Sequence, residues 1–104
     1  MKQVTVIVKP FVAEAVLRVI GDFKVQACTV DEVKGYGRQK GYLDRYQGSE
    51  YSVAYLPKIE IVVWLDDRLC ESLLERIKET ARTGRMGDGK ILVQTAAWPE
   101  PIEF

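Results

Sequence analysis

The chain has 104 residues, 47% of them hydrophobic and 29% charged, which predicts a single globular domain. Its 15 basic and 15 acidic residues cancel, and this balance argues against sequence-independent binding to nucleic acid. The longest apolar run, Ile61–Leu65, is far shorter than the roughly 20 residues of a membrane-spanning helix. Because the N-terminus also lacks the pattern of a signal peptide, we expect a cytoplasmic protein without membrane insertion.

Residue types that are missing exclude several kinds of active site. The chain has no histidine, which rules out zinc sites built from Cys and His and every nucleophile that needs an imidazole base. Its two cysteines, Cys28 and Cys70, are not arranged as a CxxC pair. We therefore expect buried, reduced thiols rather than a disulfide.

The first half of the chain alternates between strand and helix patterns. Residues 3–9 are β-branched and mostly apolar, which predicts a strand buried on both faces. Pro10 ends that strand, and residues 12–23 then follow a helical period. The apolar face of this predicted helix consists of Val12, Ala15, Val16, Val19, Ile20 and Phe23. Residues 25–34 return to a strand pattern.

The second half repeats the order of strand and helix. Residues 56–65 predict a third strand, after which Asp66 or Asp67 can cap a second helix. The apolar stripe of this helix consists of Leu69, Leu73, Leu74, Ile77 and Ala81. Gly84 is expected to stop it in a left-handed turn.

A fourth strand, predicted over residues 91–97, completes the order βαββαβ, and the proline-containing tail 98–104 is expected to be irregular. With right-handed crossovers this order gives a single α+β domain over residues 1–104, a ferredoxin-like sandwich with two helices on one face of a four-stranded antiparallel sheet. The opposite face would then need a partner, which predicts a homo-oligomer packed sheet to sheet.

A long loop between the second and third strands exceeds what this fold requires. Residues 35–55 provide about 20 residues where a hairpin needs about two to five, and such length usually serves a function. The loop opens with Gly35–Gly41, in which three glycines surround Arg38 and Lys40. Glycines let backbone amides approach an anion, although a basic turn at the end of a strand has the same composition.

A second glycine-rich segment, the turn 83–89, follows the second helix. In Thr83–Lys90, turn amides together with Thr83 and Lys90 could hold a phosphate. A helix cap followed by a tight turn is the alternative interpretation. Two such segments in a chain this short favour one shared nucleotide site.

Two further segments are ambiguous on their residues alone. Tyr46–Tyr51 offers hydroxyl groups to modifying enzymes, but a solvated loop explains the same composition better. Lys58, after Pro57 at the base of the loop, is either a charge at a strand edge or a cation that faces a small dicarboxylate.

Taken together, these motifs closely resemble the PII signal-transduction proteins from residue 1 to about residue 97. The stretches that carry the resemblance are Val8–Phe11, Val30–Gly41, Gly48–Tyr51, Leu56–Lys58 and Thr80–Ile91. The resemblance implies a homotrimer that is not an enzyme and that binds ATP or ADP, in competition, in clefts between subunits. It also implies that the long T-loop, about 37–55, contacts a protein target, either a transporter or a metabolic enzyme.

The resemblance also assigns residues to sites. The nucleotide-binding residues that it implies are Ile7, Thr29, Gly35, Gly37, Arg38, Gln39, Thr83, Gly87, Asp88, Gly89 and Lys90. Gln39 matches the ligand of a magnesium ion bound through ATP, and the 2-oxoglutarate site would comprise Gln39, Lys40, Gly41 and Lys58. Tyr51 matches the position of uridylylation and Ser49 a position of phosphorylation.

Three departures from the family pattern leave two interpretations of the function open. The tail 98–104 has no cation where typical members supply arginines to the phosphates, Val62 stands where a glutamate contacts the nucleotide, and Gln47 replaces a basic residue of the loop. The chain is therefore either an ordinary nitrogen sensor or a divergent sensor that prefers ADP or AMP and controls another transporter or a carbon-linked process. An acylphosphatase-like enzyme is excluded because the chain has no asparagine to orient water, whereas an inert interaction module remains an alternative.

Overall fold

A computed structural model describes residues 1–38, 53–85, 87–97 and 100–104. Its elements in chain order are β1 Lys2–Val8, α1 Pro10–Gly21, β2 Ala27–Arg38, β3 Val53–Leu65, α2 Asp67–Ala81 and β4 Gly89–Thr95. This order confirms the predicted βαββαβ pattern.

The four strands form one sheet in the order β2-β3-β1-β4, and every neighbouring pair is antiparallel. In the register, Val6 of β1 lies opposite Ile61 of β3 on one side and Ile91 of β4 on the other. Both helices pack on the same face of this sheet, so the ferredoxin-like α+β fold is confirmed.

The core lies between the two helices and the central strands. The fully buried strand residues are Val4, Val6, Val8, Ile61, Val63 and Leu65. They alternate along β1 and β3, so they share one face, where they meet the buried stripes of α1 and α2. The predicted burial of β1 on both faces is wrong for a single chain, because Thr5 and Ile7 on the other face are only half-buried. That face, which we call the open face, also carries Leu92, 51% exposed.

The second helix begins where aspartate predicts, because Asp66 caps α2 by accepting a hydrogen bond of 3.0 Å from the amide of Arg68. The first helix spans Pro10–Gly21 and not the predicted 12–23, because Pro10, which was predicted only to end the strand, also occupies its first turn. The predicted stop of α2 at Gly84 is wrong. Arg82 has already left the helical conformation, with φ −75° and ψ 121°, and the positive φ of Gly84, 83°, belongs to the turn beyond it.

β2 and β3 run further into their connection than the predicted strand limits. The pairing of β3 with β1 ends at Val8 opposite Ile59, whereas its pairing with β2 continues to Arg38 opposite Val53. Beyond the sheet the two strands therefore continue as a two-stranded ribbon, and residues 39–52 of the predicted loop lie outside the described part of the chain. Gly35, expected in a loop, lies in β2 opposite Leu56.

The two cysteines differ in their surroundings. Both are free thiols, and Cys70 on α2 is buried as predicted. The prediction is wrong for Cys28, which is exposed because it lies on the edge strand β2, outside the core that the helices form with β1 and β3. In the described ranges, no helix combines the length and the apolar character needed to cross a membrane.

Candidate functional site: a basic groove beside the glycine-rich turn

A groove of about 360 Å³ lies where the central strands end against the glycine-rich turn. The register explains the meeting, since Ile7 of β1 lies opposite Glu60 of β3 and opposite Lys90 of β4. The groove is lined by Ile7, Val33, Lys34, Gly35, Lys58, Glu60, Gly87, Gly89 and Lys90. Six of these residues were assigned to sites from the sequence: Ile7, Gly35, Lys58, Gly87, Gly89 and Lys90.

Lys58 connects two walls of the groove. Its Nζ donates a hydrogen bond of 2.9 Å to the carbonyl oxygen of Gly87, and its aliphatic stem lies against Gly35. Partial burial is the main cause that lowers the pKa of the Lys58 ammonium, and the charge of Lys9 lowers it further, while the carboxylate of Asp88 opposes the shift. An anion bound beside Lys58 would relieve this repulsion between two cations.

The turn is organised around the carboxylate of Asp88. The amides of Thr83 and Gly84 donate to it at 2.7 and 2.8 Å, and the amide of Arg85 donates at 3.3 Å. The hydroxyl of Thr83 donates to the same carboxylate, and Lys9 Nζ lies 3.4 Å from it. These contacts, the Thr83 hydroxyl foremost, hold the pKa of Asp88 well below its usual range. Three amides that could have cradled a phosphate are therefore already occupied within the chain.

The groove keeps an excess of positive charge. Asp88 neutralises Lys9, whereas no ion pair within the described ranges involves Lys58 or Lys90. Glu60 is the carboxylate among the lining residues. Since the three lysines of the lining, Lys34, Lys58 and Lys90, outweigh it, an anionic ligand is the chemistry that the arrangement suits. A search of the described residues finds no group of three or more Cys, Asp or Glu side chains that could hold a metal ion without help from a ligand.

Two glycines of the groove have a steric function that sequence reasoning did not give them. A Cβ at Gly35 would lie 2.8 Å from Cγ of Lys58, so the glycine leaves room for that side chain. A Cβ at Gly89 would lie 2.8 Å from the carbonyl oxygen of Ile7, so this glycine lets β4 lie against β1. The expectation that glycines serve mainly to expose amides is therefore incomplete.

The other assigned residues lie elsewhere. Thr29 is opposite Val62 on the open face and does not line the groove of its own chain. Gly37 and Arg38 are in the ribbon, opposite Ala54 and Val53. The remaining assigned positions, Gln39, Lys40, Gly41, Ser49 and Tyr51, lie outside the described residues.

Sequence reasoning missed three charged residues here, Lys9, Lys34 and Glu60. Lys9 and Glu60 follow from strand register, because pairing Val8 with Gly89 brings Lys9 next to Asp88, and pairing Ile7 with Glu60 turns both toward the groove. The hydrophobic periodicity predicts where each strand lies, but not which residue of the neighbouring strand is paired with which. These neighbours can therefore be predicted only when the pairing register of the strands is known.

Comparison with known proteins shows the family to which the chain belongs. A family model described as Nitrogen regulatory protein P-II matches residues 1–97, which include every residue that lines the groove. The nitrogen regulatory protein GlnK of Escherichia coli K12 is 47% identical over 93 residues, 89% of this chain and 83% of the relative. The nitrogen regulatory proteins P-II of Rhodospirillum rubrum and Azospirillum brasilense are each 45% identical over the same shares of both chains. The chain therefore belongs to the nitrogen regulatory protein P-II family.

Proposed function

We propose that this protein is a non-enzymatic signal-transduction regulator of nitrogen metabolism that binds adenine nucleotides, ATP or ADP, in the basic groove. The observation that carries the proposal is the meeting of Lys58, Lys90 and the glycine-rich turn in one groove, although they come from distant parts of the sequence. A polyphosphate suits a site lined by three lysines, Lys34, Lys58 and Lys90, with backbone close at hand. Arg38, which lies beyond Gly35 in the two-stranded ribbon, is the further cation that the family resemblance assigns to the nucleotide.

In this proposal the nucleotide lies in a cleft between two subunits of a homotrimer. Two observations support a shared site. Thr29, assigned to the nucleotide, lies on the open face, as the groove residues Ile7 and Glu60 do, but it does not line the groove of its own chain. The same face carries Leu92 with half of its surface exposed and no helix over it, which favours packing against a second copy.

The same groove would take 2-oxoglutarate. Lys58 supplies a cation for one carboxylate, and Gln39, Lys40 and Gly41 follow directly after the end of β2 at Arg38. Gln39 would be the protein ligand of a magnesium ion whose other ligands come from the phosphates and the keto acid, which suits an oxygen-coordinated cation. Such a shared ion would couple the binding of the two metabolites.

The output would pass through the T-loop, about 37–55, to a protein target in the cytoplasm, either a transporter or a metabolic enzyme. The paired ends of β2 and β3 join this segment to the groove, so a change at Gly35 or Lys58 has a direct covalent route to it. Tyr51 and Ser49 within the segment are the proposed sites of uridylylation and phosphorylation.

One observation favours a second candidate, a sensor of ADP or AMP that controls a different transporter or a carbon-linked process. The described tail residues are Glu100, Pro101, Ile102, Glu103 and Phe104, all exposed and none cationic. A tail that brings carboxylates rather than cations would not stabilise the longer phosphate chain of ATP over that of ADP.

Calorimetric titration tests both candidates. Purified protein is titrated with ATP, ADP and AMP, each with and without Mg²⁺ and 2-oxoglutarate. Binding of 2-oxoglutarate only in the presence of Mg-ATP supports the ordinary nitrogen sensor, whereas ADP or AMP binding as tightly as ATP, with no response to 2-oxoglutarate, supports the second candidate. Arg38→Ala and Lys90→Ala should each weaken nucleotide binding more than tenfold without unfolding the protein. Unchanged affinity in both variants would contradict the shared groove.

A further inference from the structure

We infer that Asp88 is a positioning residue of the proposed nucleotide site, one that holds the glycine-rich turn in shape and does not itself contact the ligand. The inference rests on the proposed function and deepens it, because it assigns the acidic residue of the turn to the architecture of the site.

The first argument is the direction in which the carboxylate points. Its Oδ2 accepts from the amides of Thr83, Gly84 and Arg85, and its Oδ1 accepts from the hydroxyl of Thr83 and from Lys9 Nζ. Both oxygens are thus engaged within the chain. A carboxylate in this state has little capacity left for a ligand, and one that faced a phosphate would repel it.

The second argument is that Asp88 lies between two residues that do line the groove. On one side Gly87 accepts the hydrogen bond from Lys58, and on the other Gly89 lies against the backbone of Ile7. Fixing the carboxylate therefore fixes both neighbouring peptide units. Without it, five donors would lose their shared acceptor, and the wall formed by Gly87, Gly89 and Lys90 would lose its support.

The third argument concerns the anion itself. The amides of Thr83, Gly84 and Arg85 form the kind of concave cluster that binds phosphate, and here an internal carboxylate fills it. The turn therefore has its shape before any ligand arrives. An incoming phosphate meets the opposite side of the turn, toward Lys58 and Lys90.

The test combines amide exchange with ligand affinity in three variants of the full chain. Asp88→Ala removes all the contacts, whereas Asp88→Asn keeps an oxygen for the three amides. Glu71→Ala is the matched control, since it removes an exposed carboxylate near the start of α2, at the opposite end of that helix from the turn and outside the groove. NMR measures hydrogen exchange at Thr83, Gly84 and Arg85, and calorimetry measures affinity for ADP and for adenosine, which has no phosphate.

For Asp88→Ala we expect exchange at the three amides to accelerate at least tenfold and ADP affinity to fall at least tenfold, while adenosine affinity changes less than twofold. Asp88→Asn should restore most of the protection and most of the ADP affinity together, and Glu71→Ala should change neither. If Asp88→Ala does not fold, Thr83→Val tests the same carboxylate through its hydroxyl partner and should weaken ADP binding about threefold.

Three results would overturn the inference. Weaker ADP binding with unchanged exchange would mean that Asp88 contacts the ligand. Faster exchange with unchanged ADP affinity would mean that the shape of the turn does not matter for binding. A wild-type protein that binds no ADP would overturn the proposed function and this role with it. This failure is distinguishable from the first two, because those require a wild type that binds ADP and a variant that differs from it.

Discussion

Lys58 and Gly87 are joined by a hydrogen bond of 2.9 Å that ties β3 to the glycine-rich turn. The two residues line one groove from opposite walls, and the donor is the residue proposed to bind 2-oxoglutarate. Because an ammonium group has three donors, Lys58 could bind a ligand carboxylate while it keeps its hydrogen bond to the carbonyl oxygen of Gly87.

Replacing this lysine by a residue of similar length without charge should affect both ligands. We expect Lys58→Met to abolish binding of 2-oxoglutarate and to weaken ADP binding about fivefold, since the lost hydrogen bond is worth about 1 kcal/mol net. Calorimetry measures both affinities. Lys24→Met, at an exposed position after α1, is the control and should bind like the wild type. A Lys58→Met protein with wild-type affinity for both ligands would contradict the assignment.

Alanine at the two glycines of the groove should affect different quantities: stability at Gly89 and ADP affinity at Gly35. In Gly89→Ala the new Cβ meets the backbone of Ile7, which cannot move without loss of strand pairing, so we expect the free energy of unfolding to fall by roughly 1–3 kcal/mol. In Gly35→Ala the new Cβ meets the flexible stem of Lys58, so ADP affinity should fall with little loss of stability.

Urea denaturation and calorimetry separate these effects. Gly21→Ala, at the end of α1, introduces a Cβ that meets nothing within 4 Å and should leave both quantities unchanged or raise stability by up to about 1 kcal/mol. Equal destabilisation by Gly35→Ala and Gly89→Ala would mean that the Lys58 side chain cannot move aside.

A lysine on the open face should prevent trimer formation. Leu92 is 51% exposed in the single chain and lies opposite Thr5, so Leu92→Lys would place a charge in the proposed interface. Analytical ultracentrifugation should then find monomer, with the fold retained by circular dichroism and with ADP affinity lost because Thr29 of a neighbour is no longer available. Phe11→Lys, at a 73% exposed residue on the helix side, should remain trimeric. A Leu92→Lys trimer would argue against packing through this face.

The contribution of Asp88 to stability should depend on pH in a defined direction. The pKa of this carboxyl is lowered in the folded chain, so its contribution is complete above the ordinary pKa of about 3.9 and is lost as the pH falls toward the folded value. We therefore expect the difference in unfolding free energy between wild type and Asp88→Asn to be the same at pH 7 and pH 5 and smaller at pH 3. Urea denaturation at the three values measures it, and a difference that grows on acidification would contradict the contacts.

Much of the fold could be predicted from local signals in the sequence. Helical period, the proline after β1 and the aspartate before α2 act within a few residues, and they correctly predicted two helices, the end of the first strand and the cap of α2. The errors arose where tertiary contacts decide. Gly84 has the expected positive φ, yet Arg82 ends the helix, because the amides beyond it bond to Asp88.

The candidate site was less accessible from the sequence. The glycines and lysines marked its two walls, but pairing register decides which residues meet, and so Lys9 and Glu60 were missed. The orientation of the Asp88 side chain could not be predicted from the sequence either. The sequence of the turn does not indicate that the Asp88 carboxylate points toward the amides of the turn, since an aspartate beside glycines is equally suited to face a ligand.

The paired ends of β2 and β3 form a two-stranded ribbon that starts at the groove. From Val33 opposite Lys58 to Arg38 opposite Val53, two strands continue without a third beside them, and such a ribbon twists and pivots more readily than a sheet. Its length is about 17 Å at about 3.3 Å per residue, so a rotation of about 10° at Gly35 and Lys58 moves the far end by about 3 Å. In the proposed function, the groove thus lies at the pivot of this ribbon, and a displacement the size of one ligand contact would be enlarged at the segment that we propose contacts a protein target.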